Sequence, residues 1–468
     1  MTSKRFRWIG IIIFLMCTEP AVSAQKPIDL AIVGGTVLTM NPEANILQDG
    51  YIAISKDRII AVGARSSLAR KFSPVRTISA AGQLVMPGLV NAHTHVPMSL
   101  FRGIANDLAL KDWLQNYIFP AEARNVTRDF VYWGTLLGDL EMIQSGTTTF
   151  TDMYYFEDEV ARATKQAGLR AVLGETWLDF PAPDNKTFDA MVANTEKFFQ
   201  KYRGDSLITP AVAPHAPFTV SPEHLMAAKA LADKYHLPIL IHVAETKSEE
   251  SDIETRYHAR PVQHLKNIGF LESSVVAAHC IWVNEQDIAA LKQFHVGCVY
   301  NPSSNMMLAS GVAPVMKMLQ AGLNVGLGTD GPAGSNNDFN MFEEMDLASK
   351  LQKISMLDPK ALPARQAVEM ATIGGARVLN MDRDIGSLEA GKKADIILLN
   401  LDHPNEVPLY DYYGAIVYSI KGCDVDTSII NGRVVMRHRR VLTLNSAEIL
   451  LKAEAYRSQI LASLKNKD

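Results

Sequence analysis

Two histidines stand one residue apart in His93-Thr94-His95, at the end of an apolar run that begins at Leu84. If that run is a strand, its period of two points both imidazoles to one side and Thr94 to the other, so two nitrogens face a common point. His242 closes Pro238-Ile239-Leu240-Ile241-His242, and Asp330 closes Val325-Gly326-Leu327-Gly328-Thr329-Asp330, adding a third nitrogen and a carboxylate oxygen. Three imidazoles, one carboxylate and an open position suit a single Zn²⁺, and Fe²⁺ or another divalent ion fits the same donors. Glu245, just past His242, is placed to lean over such an ion without binding it and to carry a proton. His279, at the end of Val275-Val276-Ala277-Ala278-His279, is placed to orient or deprotonate a water that the ion makes acidic.

Any one of these residues alone reads equally as a satisfied core histidine or a helix-capping aspartate. Their joint placement reads differently. His93, His95, His215, His242, His279 and Asp330 sit at or beside the C-terminal ends of five apolar runs, and burying each without a partner costs a few kcal/mol. A core built only for stability gives no reason for that pattern.

The elements that must position them follow an alternation of short Val-, Ile- and Thr-rich runs with helical stretches. Eight runs stand out: Leu84 to His95, Gly146 to Met153, Arg170 to Trp177, Leu207 to His215, Pro238 to Thr246, Ser274 to Cys280, His295 to Asn301 and Asn324 to Asp330. Ser221-Pro222-Glu223 and Asn284 read as helix starts between them. Eight strand-helix units predict an α/β fold closed as a TIM-like (β/α)8 barrel over 83–384, with its active site at the C-terminal ends of the strands. Residues 25–82 and 385–440 carry shorter alternating runs and turn signals, including Asn431-Gly432, and are expected to fold together as one small β-sandwich, followed by a C-terminal helix over 441–468.

Residues 1–24 read as a signal peptide: Lys4, Arg5 and Arg7 precede the apolar run from Trp8, and Val22-Ser23-Ala24 offers a cleavage site before Gln25. The run to Cys17 falls well short of the roughly 20 residues a membrane span needs, and the bulky Leu15 and Met16 before Cys17 argue against lipoprotein processing. The expected localisation is therefore exported, periplasmic or extracellular, with no stable membrane span after cleavage. With 47% hydrophobic and 21% charged residues and a net charge of −4, the 468-residue chain is an ordinary globular sequence without the basic footprint of a nucleic-acid binder. Cys280, Cys298 and Cys423 remain after cleavage, an odd number at irregular spacing that writes no disulfide framework.

Taken together, Pro87-Gly88-Leu89-Val90-Asn91-Ala92-His93-Thr94-His95, His242-Val243-Ala244-Glu245-Thr246, Ala278-His279-Cys280, Asn301-Pro302-Ser303-Ser304-Asn305 and Gly328-Thr329-Asp330-Gly331 resemble the signature of amidohydrolases of the S-adenosylhomocysteine and methylthioadenosine deaminase group, which is related to chlorohydrolases. The stretch Gly386 to Asp395 matches that superfamily's return into the sandwich. The resemblance implies one zinc held by His93, His95, His242 and Asp330, a water activated with the help of Asp330 and His279, and a proton carried by Glu245 to the ring nitrogen beside the attacked, amino-bearing carbon, after which ammonia leaves. It also implies that Trp113, Glu122 and His215 contact the substrate along with Glu245. One departure is visible: relatives that take S-adenosylhomocysteine carry arginines after the third strand, where Gly174 to Phe180 offers Glu175 and Asp179 instead. An anionic tail is expected to be repelled there, which favours a neutral nucleoside such as methylthioadenosine, or another amino-heterocycle. No lysine ends the fourth run, so a lysine bridging two metals has no candidate.

Two other readings compete. The same site could expel chloride from a triazine or open a cyclic amide, and a non-catalytic periplasmic protein could hold the zinc for structure alone. An amine needs protonation to depart and chloride does not, so Glu245 and Asp330 favour deamination. The expected partner is a small-molecule heterocycle or nucleoside, and the sequence leaves a homo-oligomer open.

Overall fold

The computed structural model describes residues 25–465. The expected signal peptide and residues 466–468 of the expected C-terminal helix lie outside that range.

Eight parallel strands form one sheet whose spatial order follows the chain: Leu89–Thr94, Thr147–Tyr154, Arg170–Trp177, Ile208–Pro214, Ile239–Val243, Val275–His279, Gly297–Tyr300 and Val325–Leu327. The last meets the first through three hydrogen bonds. The Asp330 N–H donates to the His93 carbonyl at 3.0 Å, the Thr329 N–H donates to Asn91 Oδ1 at 3.0 Å, and Asn91 Nδ2 donates to Thr329 Oγ1 at 2.8 Å. The barrel expected from sequence is therefore the observed one. Its interior is filled by Val90, Ala92, Val172, Ala211, Ala213 and Val276, every second residue of their strands, and its lower end is plugged by Ala376, Val378 and Leu379. Gly174 belongs to the same inner row, and a Cβ there would stand 2.8 Å from that of Ala213.

Helices begin where the sequence marks them. Ser221 accepts from the His224 N–H with Pro222 in the first turn, and Asn284 forms a reciprocal capping box with Asp287.

Both chain ends build the β-sandwich. One sheet holds Lys26–Val33, Gly50–Ser55, Arg58–Ala64 and Phe72–Ser79. In the other, Thr36–Leu38, Ile46–Leu47 and Leu84–Pro87 join Ile396–Leu399, Val425–Ile430, Arg433–Arg437 and Arg440–Val441, with Val85 opposite Leu398. Leu30, Ile32, Ile52, Ile54, Ile396 and Leu398 pack between the sheets. The run Leu84 to His95 is thus divided rather than continuous: Leu84–Pro87 is a sandwich strand and Leu89–Thr94 a barrel strand, so the sandwich extends past residue 82. The division falls at Gly88, where a Cβ would lie 2.1 Å from the Thr148 hydroxyl and force that side chain to move.

Between sandwich and barrel, Arg170 at the start of the third barrel strand pairs with Asp395 at 3.1 Å, both side chains 4% exposed. Asp395 also accepts from the Asn431 N–H at 2.6 Å. The helix Ser446–Lys465 packs Tyr456 edge-on against Phe130, and its hydroxyl donates to Asp129 at 2.6 Å. Among the described residues, no helix is long and apolar enough to cross a membrane.

Candidate active site

The strand ends bring every candidate ligand to one point. His93 and His95 project from the first strand with ring centroids 5.0 Å apart, and His242 from the fifth lies 4.9 Å from His93. Asp330 Oδ1 is 3.4 Å from His93 Nε2 and 3.3 Å from His95 Nε2. Donor atoms of His93, His95 and His242 form one close group, and those of His93, His279 and Asp330 an overlapping one, each within 4.8 Å.

Hydrogen bonds on the far side of the rings fix which nitrogen faces inward. His95 Nδ1 is 2.7 Å from the Met153 carbonyl and His242 Nδ1 is 2.7 Å from the His215 carbonyl. Carbonyls only accept, so both Nδ1 atoms carry protons, and each ring in its neutral form presents its Nε2 lone pair inward. Those two Nε2 atoms are 3.3 Å apart, and His93 Nε2 is buried with no hydrogen-bond partner. Lone pairs converging this closely repel one another unless a cation lies between them, which is the donor set a divalent ion takes.

The electrostatics agree. Burial pulls His93 down to about 4 and His215 down to about 3, and it drives His242 well below the ordinary imidazole value. Burial would lower His95 as well, but the hydrogen bond and charge of Asp330 outweigh it and push His95 up to about 9. Asp330 itself is held well below the usual carboxylate range, burial being overcome by His93 and His95. Asp330 is thus a negative charge facing the neutral nitrogens of His93 and His242, and the proton that it favours on His95 is the one a cation would displace.

Beside this group stand Glu245 and His279, with Oε2 and Nε2 3.7 Å apart. Burial, reinforced by Asp330, raises the Glu245 carboxyl well above its ordinary value. Glu249 accepts from the Ala244 and Glu245 N–H groups at 2.9 and 2.7 Å and so fixes the turn that carries Glu245. His279 Nδ1 lies 3.2 Å from Asn305 Oδ1 and 3.2 Å from the Asn301 amide, and Ser304 donates to Asp330 Oδ2 at 2.6 Å. The motif Asn301 to Asn305 therefore orients two members of the site. Ala244, His279 and Asp330 all have left-handed backbones, with φ of 53, 73 and 64°, a concentration of strain often found at functional sites.

A cleft opens over these groups, lined by Trp113, Glu122, Thr176, His215, Glu245 and Leu308 among others. Trp113 Nε1 donates to the Ala333 carbonyl at 2.8 Å, which ties it to the loop after Asp330. His215 Nδ1 is 2.8 Å from the Thr219 hydroxyl. Glu122 is pushed up to about 7 by burial and receives the hydroxyls of Tyr154 at 2.7 Å and Tyr155 at 3.3 Å. The two tyrosines are members of the site that sequence reasoning missed; their place at the end of the second strand and just past it was the available signal. All the expected site residues are brought together.

The acids after the third strand are not equivalent. Glu175 sits outward in the alternation that puts Gly174 and Thr176 inward, and its carboxyl accepts from the Asn185 amide at 3.3 Å, away from the cavity. Asp179 lines an outer cavity that continues from the inner one through Leu110, Leu114, Phe119 and Phe218, but His224 pairs with it at 2.6 Å. Lys111 and Arg256 line the same outer cavity. The repulsion expected from two acids thus reduces to one, already paired.

A profile of the amidohydrolase family matches residues 84–435. The chain belongs to the amidohydrolase family. Over 441 residues, 94% of this chain and 99% of the relative, this amidohydrolase is 46% identical to 5-methylthioadenosine/S-adenosylhomocysteine deaminase 1 of Syntrophus aciditrophicus (strain SB). It is 47% identical over 422 residues, 90% of this chain and 96% of the relative, to the 5-methylthioadenosine/S-adenosylhomocysteine deaminase of Syntrophobacter fumaroxidans. The crystal structure of an adenosine deaminase from Xanthomonas campestris with bound zinc superposes with a TM-score of 0.92 at 36% identity, covering 94% of this chain and 100% of that one. An atrazine chlorohydrolase from Arthrobacter aurescens TC1 shares the fold, with a TM-score of 0.84 at 23% identity over 92% of this chain and 100% of the other. This amidohydrolase is a metal-dependent hydrolytic deaminase.

Proposed function

We propose that the enzyme binds one Zn²⁺ through His93, His95, His242 and Asp330 and removes ammonia from an adenosine-type nucleoside, methylthioadenosine foremost. The observation that carries this reading is the 3.7 Å approach of Glu245 to His279 on the cavity wall beside Asp330, which assembles proton donor and acceptor around one spot. When bound, the ion would supply positive charge that acidifies a water and so helps it lose its proton.

The protein's own groups do the rest. Glu122, flanked by Tyr154 and Tyr155, is suited to accept from ribose hydroxyls, and Trp113 and His215 wall the slot for the base. Glu245, its carboxyl raised well above the ordinary value by burial, is placed to deliver a proton to the ring nitrogen next to the attacked carbon. Asp330 and His279 take the proton that water loses as its oxygen bonds to that carbon. The same proton then goes to the amine, the carbon–nitrogen bond breaks, and ammonia departs from a ring whose amidine has become an amide. The apolar passage formed by Leu110, Leu114, Phe119 and Phe218 suits a methylthio group. The basic segment Lys4 to Arg7 and the apolar run after it support export with cleavage before Gln25.

The test incubates metal-loaded enzyme with adenosine, methylthioadenosine, S-adenosylhomocysteine, guanine, pterins and chlorotriazines, reading ammonia and chloride in parallel. Ammonia from methylthioadenosine and adenosine is expected; chloride without ammonia overturns the reading. Elemental analysis after dialysis is expected to give one tightly held zinc per chain. An N-terminus at Gln25 in the exported fraction tests cleavage.

A further inference from the structure

On the sandwich, the chain leaves the strand Ile396–Leu399 through Asp402-His403-Pro404-Asn405-Glu406 and passes beside the turn Gly422–Asp424. Glu406 turns back on this strap: its Oε2 accepts from the His403 N–H at 3.0 Å. The other carboxylate oxygen is buried and has no hydrogen-bond partner, and it lies 3.7 Å from His403 Nδ1. Asp424 Oδ1 approaches the same Nδ1 at 2.8 Å, while its Oδ2 is held by the Lys421 N–H at 2.7 Å. Glu406 and Asp424 are each 2% exposed. Donor atoms of Asp402, His403 and Glu406 lie within 4.8 Å of one another.

Charge makes this cluster unusual. Among the described residues, the charged group paired with Glu406 and Asp424 within 4 Å is the single imidazole of His403, and Asp402 adds a third carboxylate at the rim. A buried carboxylate oxygen with no donor is costly, and one imidazole cannot neutralise the set. The exposed face of His403 leaves the cluster open to solvent ions.

The geometry points to a second, surface metal site, in which His403, Glu406 and Asp402, with Asp424 beside them, take a divalent transition cation such as Zn²⁺. One imidazole and two or three carboxylates favour zinc or a neighbouring ion over magnesium or calcium, which prefer oxygen alone. A cation there links the strap after Ile396–Leu399 to the turn before Val425–Ile430, so its role is to fasten the C-terminal half of the sandwich. This inference is independent of the substrate and stands or falls without it.

Equilibrium dialysis of the active-site-loaded holoenzyme against zinc chloride at pH 7.5 tests it. The wild type is expected to bind a second equivalent per chain, and added zinc is expected to raise its melting temperature. His403→Gln, at an exposed position, and Glu406→Gln, of the same shape, are expected to weaken that second equivalent at least about tenfold, to abolish the thermal gain, and to leave deamination kinetics unchanged. A wild type that stays at one equivalent in excess zinc overturns the proposal. So does a second equivalent that persists undiminished in His403→Gln, whose folding is checked by circular dichroism.

Discussion

His279 Nε2 and Glu245 Oε2 stand 3.7 Å apart on the wall of the cavity, each nearly inaccessible to water. A carboxyl so placed gains nothing from ionising, and it is available as an acid. Glu245→Gln keeps the volume and removes the proton. It is expected to retain metal and melting temperature and to lose turnover by about 10²-fold or more, the scale of general acid-base catalysis. Turnover within a few-fold of wild type removes Glu245 from the chemistry.

Glu249 works through Glu245, because both its oxygens accept backbone N–H groups of the turn. Glu249→Gln replaces one acceptor with a donor and is expected to lower kcat about tenfold while KM changes little. Burial raises the Glu249 carboxyl from 4.5 to about 8. A group raised on folding contributes its stability in full below 4.5 and loses it as pH rises through about 8. The melting-temperature advantage of wild type over Glu249→Gln is therefore expected to shrink between pH 5 and 9, which a thermal series across that range reads directly.

Metal removal follows from the converging lone pairs of His95 and His242. Dialysis against a chelator is expected to abolish ammonia release and lower the melting temperature, with zinc restoring both. Recovery of activity without any divalent ion would contradict the ligand assignment.

Glu122 is expected to read ribose. Glu122→Gln should raise KM for a ribonucleoside by roughly tenfold, as one charge-assisted hydrogen bond is lost, and leave KM for a 2′,3′-dideoxy analogue nearly unchanged. With the carboxyl pushed up to about 7, the better acceptor forms as pH rises from 6 to 8. Wild-type KM for the ribonucleoside should fall over that interval and the dideoxy value should not.

Arg170→Met leaves Asp395 buried and uncompensated at the join between barrel and sandwich. Breaking such a pair costs about 3–5 kcal/mol, so a drop of several degrees in melting temperature is expected, with metal content intact. An unchanged melting temperature would mean the pair carries no stability.

Legibility differed by physical kind. His93, His95, His242, His279 and Asp330 could be read because polar residues ending apolar runs violate the hydrophobic pattern. Trp113 and Glu122 came only by resemblance: they lie between Leu110 and Asn125, a stretch containing a wide-turn helix at Trp113–Ile118, where no period announces a site. Tyr154 and Tyr155 passed unnoticed because aromatic residues ending a strand look like core. The left-handed turns at Ala244, His279 and Asp330 could not be foreseen, since none is glycine. Gly88 was legible as a residue but not as a boundary, because only the approach of Thr148 explains it.

The strand Leu84–Pro87 lies between Thr36–Leu38 and Ile396–Leu399 in its sheet. During synthesis the first sheet has no completed partner until almost the whole barrel has emerged, so the ends of the polypeptide must find each other late. That topology ties completion of the sandwich to contacts between residues hundreds of positions apart. A chain cut short before Ile396 would leave a hydrophobic sheet face uncovered, marking truncated copies for aggregation or proteolysis rather than for partial activity.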